Sequence, residues 1–365
     1  MTKYNRGFAA ALLVTAGASS QIVFAQSPMA ADAPPPKPMA SAQMAPKPVA
    51  DMQAVLTAQA ALGAKPIEVL TPAQARLQPT PADGVKAVMQ ARHMSTAPVP
   101  SVVTRDVAYG SDPMQKARVY RPAGNSASSL PVVVYYHGGG WVIADLDVYD
   151  ATPRFMAKQL NAIVVSVEYR KAPEVKFPGQ HDDAMMAYRW VLANAASWHG
   201  DTKHMAFAGE SAGGNLAVAT AIAARDAGLT MPKHILAVYP IANTSTTLPS
   251  RSDSFNAKPL NTPMLGWFTY YYSTSKADAK DPRINLVAAD LHGLPPVTIV
   301  NAQIDPLRSD GETLATALRA AKVPVEQRTF SGVTHEFFGM GTAVRGAAEA
   351  ESYAITRMRP ALMMH

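Results

Sequence analysis

From about residue 100 onward the chain alternates short, mostly apolar runs with helix-length stretches. Segments 132–136, 163–167, 205–208, 235–239 and 297–300 lack the every-second-residue polarity of a sheet with one wet face. They read as strands buried on both sides. Between them lie 152–160, 182–196 and 212–227, each long enough for a helix. Strands alternating with helices predict a mostly parallel central sheet flanked by crossover helices, an α/β fold. Segments 102–103 and 119–120 read as antiparallel edge strands, 325–330 as a last strand and 346–358 as a closing helix.

Two regions break this rhythm. Within 51–95, Met52, Val55, Leu56, Ala60 and Leu62 recur at roughly helical spacing before Gly63. Thr71-Pro72 then reads as an N-cap followed by proline at the first helical position, and 85–94 as one more short helix. Region 243–275 holds Trp267 and Tyr270-Tyr271-Tyr272 without strand–helix alternation. Both regions are expected to contribute a helical cap; ordinary core packing is the other reading of the first. Residues 51–365 then form one domain.

The first 50 residues have a different texture. Lys3 and Arg6 precede the uncharged, small and apolar run from Gly7 to Ala18, and Val23-Phe24-Ala25 offers small or apolar residues to a signal peptidase. Residues 1–25 are expected to be a signal peptide cut after Ala25, sending the chain to the periplasm or the medium. The apolar stretch is too short to anchor comfortably in a bilayer, and no Cys follows it to carry a lipid. Residues 26–50, with Pro34-Pro35-Pro36-Lys37-Pro38 and Pro46-Lys47-Pro48, read as an extended, disordered tether.

Composition narrows the function. The chain has no Cys, which removes disulfides, thiolate metal sites and Cys nucleophiles. Net charge is +6 and loses two units with Lys3 and Arg6; no basic run appears, so no nucleic-acid partner is expected. His335-Glu336 lacks a second His at helical spacing, and the 18 Met residues are scattered, as core fillers are. No metal and no cofactor are expected.

Two motifs carry the chemistry. In Gly209-Glu210-Ser211-Ala212-Gly213 a strand must turn sharply into a helix, and the glycines leave room for a strained, exposed Ser211. The Ala212 N–H at the helix start can face a developing oxyanion. In His137-Gly138-Gly139-Gly140-Trp141 three residues without side chains let backbone N–H groups converge on one oxygen. Gly139 and Gly140 are the expected donors, with Gly138 as the substitute for one of them. His137 is read as a structural group that holds this loop. Taken singly, either motif also fits an ordinary flexible loop.

From about residue 51 to the end the chain resembles the hormone-sensitive-lipase family of α/β-hydrolase esterases. Beyond the two motifs, the resemblance rests on Trp141-Val142-Ile143-Ala144-Asp145-Leu146-Asp147, on Glu168-Tyr169-Arg170-Lys171-Ala172-Pro173-Glu174 with Phe177-Pro178 and Asp182-Asp183, on Asp281-Pro282-Arg283 with Leu294-Pro295-Pro296, on Asp305-Pro306-Leu307-Arg308 and on Gly332-Val333-Thr334-His335-Glu336-Phe337. It implies an α/β-hydrolase fold with Ser211 as nucleophile, Asp305 as acid and His335 as base, in the chain order Ser, Asp, His. The residues themselves agree: all three follow predicted strands, at the end of the sheet where open α/β folds build their sites. Asp310 and Asp281 are the alternative acids. Three departures bear on substrate fit: Ala144 stands where the family often has Gly, Lys171 replaces an apolar residue, and Ser309-Asp310 replaces an acidic pair. Glu210 is expected to tie the elbow to neighbouring loops.

The expected function is hydrolysis of short- to medium-chain acyl esters through an acyl-Ser211 intermediate. An amidase or formamidase on the same triad, and a non-catalytic small-molecule binder, are the competing readings. The partner is a small-molecule ester; no stable membrane anchoring is expected after signal removal. Pairing of two chains through the last strand or helix is compatible with the fold and left open.

Overall fold

The computed structural model describes residues 46–124 and 129–363. The expected signal peptide, and the tether as far as residue 45, lie outside them. The apolar runs form one eight-stranded sheet of β1 (Val102–Ala108), β2 (Lys116–Pro122), β3 (Leu130–Tyr136), β4 (Ile163–Val167), β5 (Gly200–Glu210), β6 (His234–Val238), β7 (Val297–Ile304) and β8 (Val325–Thr334). Their order is β1-β2-β4-β3-β5-β6-β7-β8. β2 runs antiparallel to β1 and β4; every other neighbouring pair is parallel.

Every residue of β3 and β4 is buried, because both faces of the sheet are covered. Val132, Val134 and Tyr136 pack into one core with α5 (Gly179–Asn194), α6 (Ala212–Asp226) and α9 (Arg308–Ala320). Val133 and Tyr135 point the other way, into a core built by α4 (Ala151–Leu160) and α10 (Arg345–Leu362). This two-sided burial is why the strands are legible as continuous apolar runs rather than as alternation.

The N-terminal segment contains α1 (Ala50–Ala61), α2 (Pro72–Ala75) and α3 (Pro81–Ala91), and it divides between the two readings offered for it. Met52 and Val55 of α1 and Val85 and Val88 of α3 join the α4–α10 core. Ile67 and Ala75 instead join the opposite core, with Leu260, Met264, Trp267 and Tyr272 of the 243–275 region. That region forms α7 (Pro249–Asp253) and α8 (Thr262–Tyr272). Thr71 and Thr80 both make full capping boxes ahead of a proline. The second box starts α3 four residues earlier than the apolar spacing alone indicates. Val49 donates to the Gly332 carbonyl at 2.9 Å and α1 begins at Ala50, so the last residues assigned to the tether are part of the packed domain.

Candidate active site

β5 ends at Glu210 and α6 begins at Ala212, which leaves one residue, Ser211, to make the turn. Ser211 takes φ +56° and ψ −118°, a region non-glycine residues avoid at a cost of about 1–3 kcal/mol. The strain is held by hydrogen bonds on both sides. Ser211 N–H donates to Val238 O at 2.9 Å, and Ile241 N–H donates to Ser211 O at 3.2 Å. Gly213 is obligatory for packing, since a Cβ there would lie 2.0 Å from the Tyr136 carbonyl oxygen.

The three residues proposed from the motifs meet. Ser211 Oγ lies 3.0 Å from His335 Nε2, and His335 Nδ1 lies 2.7 Å from Asp305 Oδ2. The other Asp305 oxygen accepts the Leu307 N–H at 2.7 Å. With Nδ1–H donated to Asp305, Nε2 is left as an acceptor for the Ser211 hydroxyl. All three side chains are buried. Burial pushes the His335 imidazole down, but the Asp305 charge and hydrogen bond, with Glu336 and Glu210 behind them, outweigh it and the net shift is upward. The Tyr239 ring packs on His335 at 4.4 Å.

The alternative acids are placed elsewhere. Asp310 is fully buried, accepts the Ala242 and Asn243 N–H groups at 3.2 and 3.1 Å, and faces Arg251 of α7 at 2.7 Å, an ion pair without hydrogen-bond alignment. Burial raises its carboxyl to about 6 against the pull of Arg251. Asp281 pairs with Arg283 at 2.8 Å. His181 is enclosed by Asn215 and Tyr272, and His234 by Thr298.

The glycine loop after β3 runs beside Ser211. Gly139 and Gly140 have φ of +97° and +57° and border, with Ser211, a cavity of about 1830 Å³ between the sheet and the helical regions. Gly138 turns inward, its carbonyl accepting Tyr169 Oη at 3.2 Å. His137 is fully buried, stacked on Tyr169 at 4.3 Å, with Nδ1 2.7 Å from Gly138 O and Nε2 3.5 Å from Glu168. Desolvation alone would raise Glu168, but His137 and Lys171 hold it down at about 2. Lys171, a departure in the sequence, is thus the partner of a buried carboxylate. Ala144, another departure, sits at φ +66°, a conformation that glycine adopts without strain. Glu210 accepts Tyr135 Oη at 2.6 Å and Tyr239 Oη at 2.5 Å, and burial lifts its carboxyl to about 7.

Three further residues shape the site without a motif to announce them. Arg76, capping α2, donates to Val142 O and Ala172 O at 2.9 and 2.8 Å and grips both oxygens of Glu174 at 2.7 Å. Phe268 of α8 occupies the space a Gly140 Cβ would need. Tyr149 reaches across to Glu336, the neighbour of His335. The Thr71 cap was visible in the sequence; what Arg76 would touch five residues later was not.

Comparison with known proteins agrees with this fold. A family model described as the α/β hydrolase fold matches residues 133–339. Carboxylesterase NlhH of Mycobacterium tuberculosis is 38% identical over 293 residues, which span 78% of this chain and 91% of the relative. An ethyl acetate hydrolase of Pseudomonas putida is 34% identical over 64% of this chain and 74% of its own. Among solved structures, a hyperthermophilic esterase from Pyrobaculum calidifontis superposes with a TM-score of 0.75 at 32% identity, covering 86% of this chain and 98% of that one.

Proposed function

The chain belongs to the hormone-sensitive-lipase family of α/β-hydrolase esterases and is a hydrolase of carboxylic ester bonds, and on that premise we propose that Ser211, His335 and Asp305 are its catalytic triad. The observation that carries the proposal is the hydrogen-bonded chain from Ser211 through His335 to Asp305, at 3.0 and 2.7 Å. Ser211 Oγ attacks the ester carbonyl as its proton passes to His335 Nε2. The resulting oxyanion accepts N–H groups of Gly139, Gly140 and Ala212. The wall positions of Gly139 and Gly140 favour them over Gly138. Collapse breaks the bond to the alcohol, which leaves with the proton from Nε2. Water then attacks the acyl-enzyme by the same path, and Ser211 regains its proton.

The substrates we infer are small, water-soluble esters with short to medium acyl chains. Support comes from a cavity walled by apolar cap residues such as Met264, Leu265 and Phe268. We further infer export to the periplasm or the medium, on the charged, apolar and small-residue pattern of the first 25 residues. The test is hydrolysis of p-nitrophenyl esters from acetate to laurate beside Ser211→Ala. Loss of turnover on the order of 10³-fold or more in the variant is expected. Activity that survives Ser211→Ala refutes the triad, faster cleavage of a matched anilide makes the enzyme an amidase, and a preference for laurate refutes the acyl range.

A further inference from the structure

Resting on the triad reading, we propose that Glu336, held by Tyr149, is a positioning residue for the hydrolytic water, and that it biases the acyl-enzyme toward water over alcohols. Four observations converge on it. Glu336 Oε1 lies 3.8 Å from His335 Nε2, the nitrogen that must take the proton of any attacking nucleophile. Its side chain is about one-fifth exposed and borders the same cavity as Ser211. The Tyr149 hydroxyl lies 2.7 and 2.6 Å from its two oxygens. Finally, Glu336 has φ +67°, a left-handed conformation that costs a residue with a Cβ about 1–2 kcal/mol. Glycine would occupy this position without strain. A strained backbone that projects a carboxylate into a reaction cavity is the pattern of a functional site.

The arrangement leaves the carboxylate able to bind. A carboxylate offers about four lone-pair positions, and one hydroxyl hydrogen satisfies one of them or is shared between two. Among the described residues, Tyr149 is the hydrogen-bond partner of Glu336. Tyr149 is itself buried, its hydroxyl lying where a Gly138 Cβ would be, so the carboxylate is braced from the glycine loop. Unused acceptor positions therefore remain on a braced carboxylate that borders the cavity beside Nε2.

Water is the one nucleophile in the cycle with two protons. In deacylation its oxygen attacks the acyl carbon and one proton goes to His335 Nε2. The second is donated as a hydrogen bond to Glu336 and stays on the product acid. The Ser211 Oγ–C bond then breaks, and the Nε2 proton returns to Oγ. Glu336 accepts a hydrogen bond and no proton. During acylation the attacking Ser211 has a single hydroxyl proton, already directed at His335. An alcohol acceptor likewise has only one. Glu336 thus assists the water step and has nothing to hold in the other two.

The test is rapid-mixing hydrolysis of p-nitrophenyl acetate by wild type, Glu336→Gly and Glu336→Gln, with and without methanol. The burst reads acylation, the steady phase reads deacylation, and the ratio of methyl acetate to acetate reads the partition. In Glu336→Gly, deacylation by water falls about tenfold, the scale of one charge-assisted hydrogen bond, while acylation falls less than about threefold. The methyl acetate to acetate ratio rises about tenfold. Glu336→Gln, which keeps one neutral acceptor oxygen, falls between. Where acylation is slow and no burst accumulates, the product ratio decides. Equal falls in both steps with an unchanged ratio overturn the proposal: Glu336 then acts only through its charge on His335, which serves every step alike. A wild type no faster than Ser211→Ala refutes instead the triad on which it rests.

Discussion

Arg76 joins the N-terminal region to the glycine loop, and its contacts allow the contributions to be separated. Its guanidinium makes two kinds of bond: a bidentate pair with Glu174 at 2.7 Å, and single bonds to Val142 O and Ala172 O at 2.9 and 2.8 Å. The Glu174 side chain is 62% exposed, so solvent screens the pair and Glu174→Ala should cost no more than about 1 kcal/mol. The two carbonyls belong to buried residues flanking the Trp141 turn. Hydrogen bonds to a charged donor contribute about 1.5–3 kcal/mol each, and partial access of water to the vacated carbonyls reduces that. Arg76→Ala should therefore cost about 2–4 kcal/mol, a sizeable part of the ~5–15 kcal/mol that holds a typical domain. Urea denaturation of the two single variants and the double variant reads these numbers, with a coupling energy below about 1 kcal/mol expected. Because Val142 N–H bonds back to Gly139 O, Arg76→Ala should also lower kcat/KM. Glu174→Ala matching Arg76→Ala in stability, or a coupling energy equal to the whole loss, would show that the ion pair and not the backbone grip is the clamp.

Other outcomes follow from the same contacts. Since the His335 pKa is raised above its usual 6.5, the acid limb of kcat/KM should have its midpoint above 6.5; a midpoint at or below 6.5 contradicts the Asp305 coupling. The stability contribution of this group has the opposite trend: it is fully present below 6.5 and lost as pH rises through the folded value, so His335→Gln should flatten that part of the stability–pH curve. Asp305→Asn should lower kcat on the order of 10³- to 10⁴-fold, with little loss of stability at pH above the folded His335 pKa. Asp310→Asn should do the reverse, losing about 2–4 kcal/mol by leaving Arg251 buried and unpaired while kcat stays within a few-fold; the opposite ranking would exchange the two roles. Deleting residues 26–45 should leave turnover and Tm intact, whereas extending the deletion through Ala50 removes the Val49–Gly332 hydrogen bond and should lower Tm.

Much of the scaffold was legible because burial on both faces writes itself as apolar runs. β4 matches its run residue for residue, β6 starts and ends one position before its own, and β3, β7 and β8 extend theirs by a few positions. β5 is longer than its apolar run because Gly200 and Asp201 pair with Leu130 and Pro131 at the rim of the sheet, where polar residues are tolerated. Ser211, Asp305 and His335 were legible for a related reason: each follows a strand end, and a parallel sheet brings those ends together. What stayed hidden depends on reach rather than period. Arg76 grips residues 66 and 96 positions away, and Tyr149 meets Glu336 across 187 positions. No local spacing encodes such contacts.

Backbone conformation explains the rest. Nine non-glycine residues among those described have positive φ, and Trp141, Ala144, Ser211, Tyr239 and Glu336 of these gather around the proposed triad and the cavity. Three of them are held by the fold against their own preference: Ser211 by β6, Trp141 by the Gly139 turn, and Glu336 between buried His335 and Phe337. A glycine at such a position announces itself in a sequence, as the Gly138-Gly139-Gly140 run does. An alanine or glutamate does not, because its letter carries no trace of the φ imposed on it, and Ser211 was legible only through the glycines beside it. At two of these left-handed positions the side chain that is kept lies where the site can use it. At Ser211 that use is the proposed nucleophile, and at Glu336 it is the proposed anchor for water.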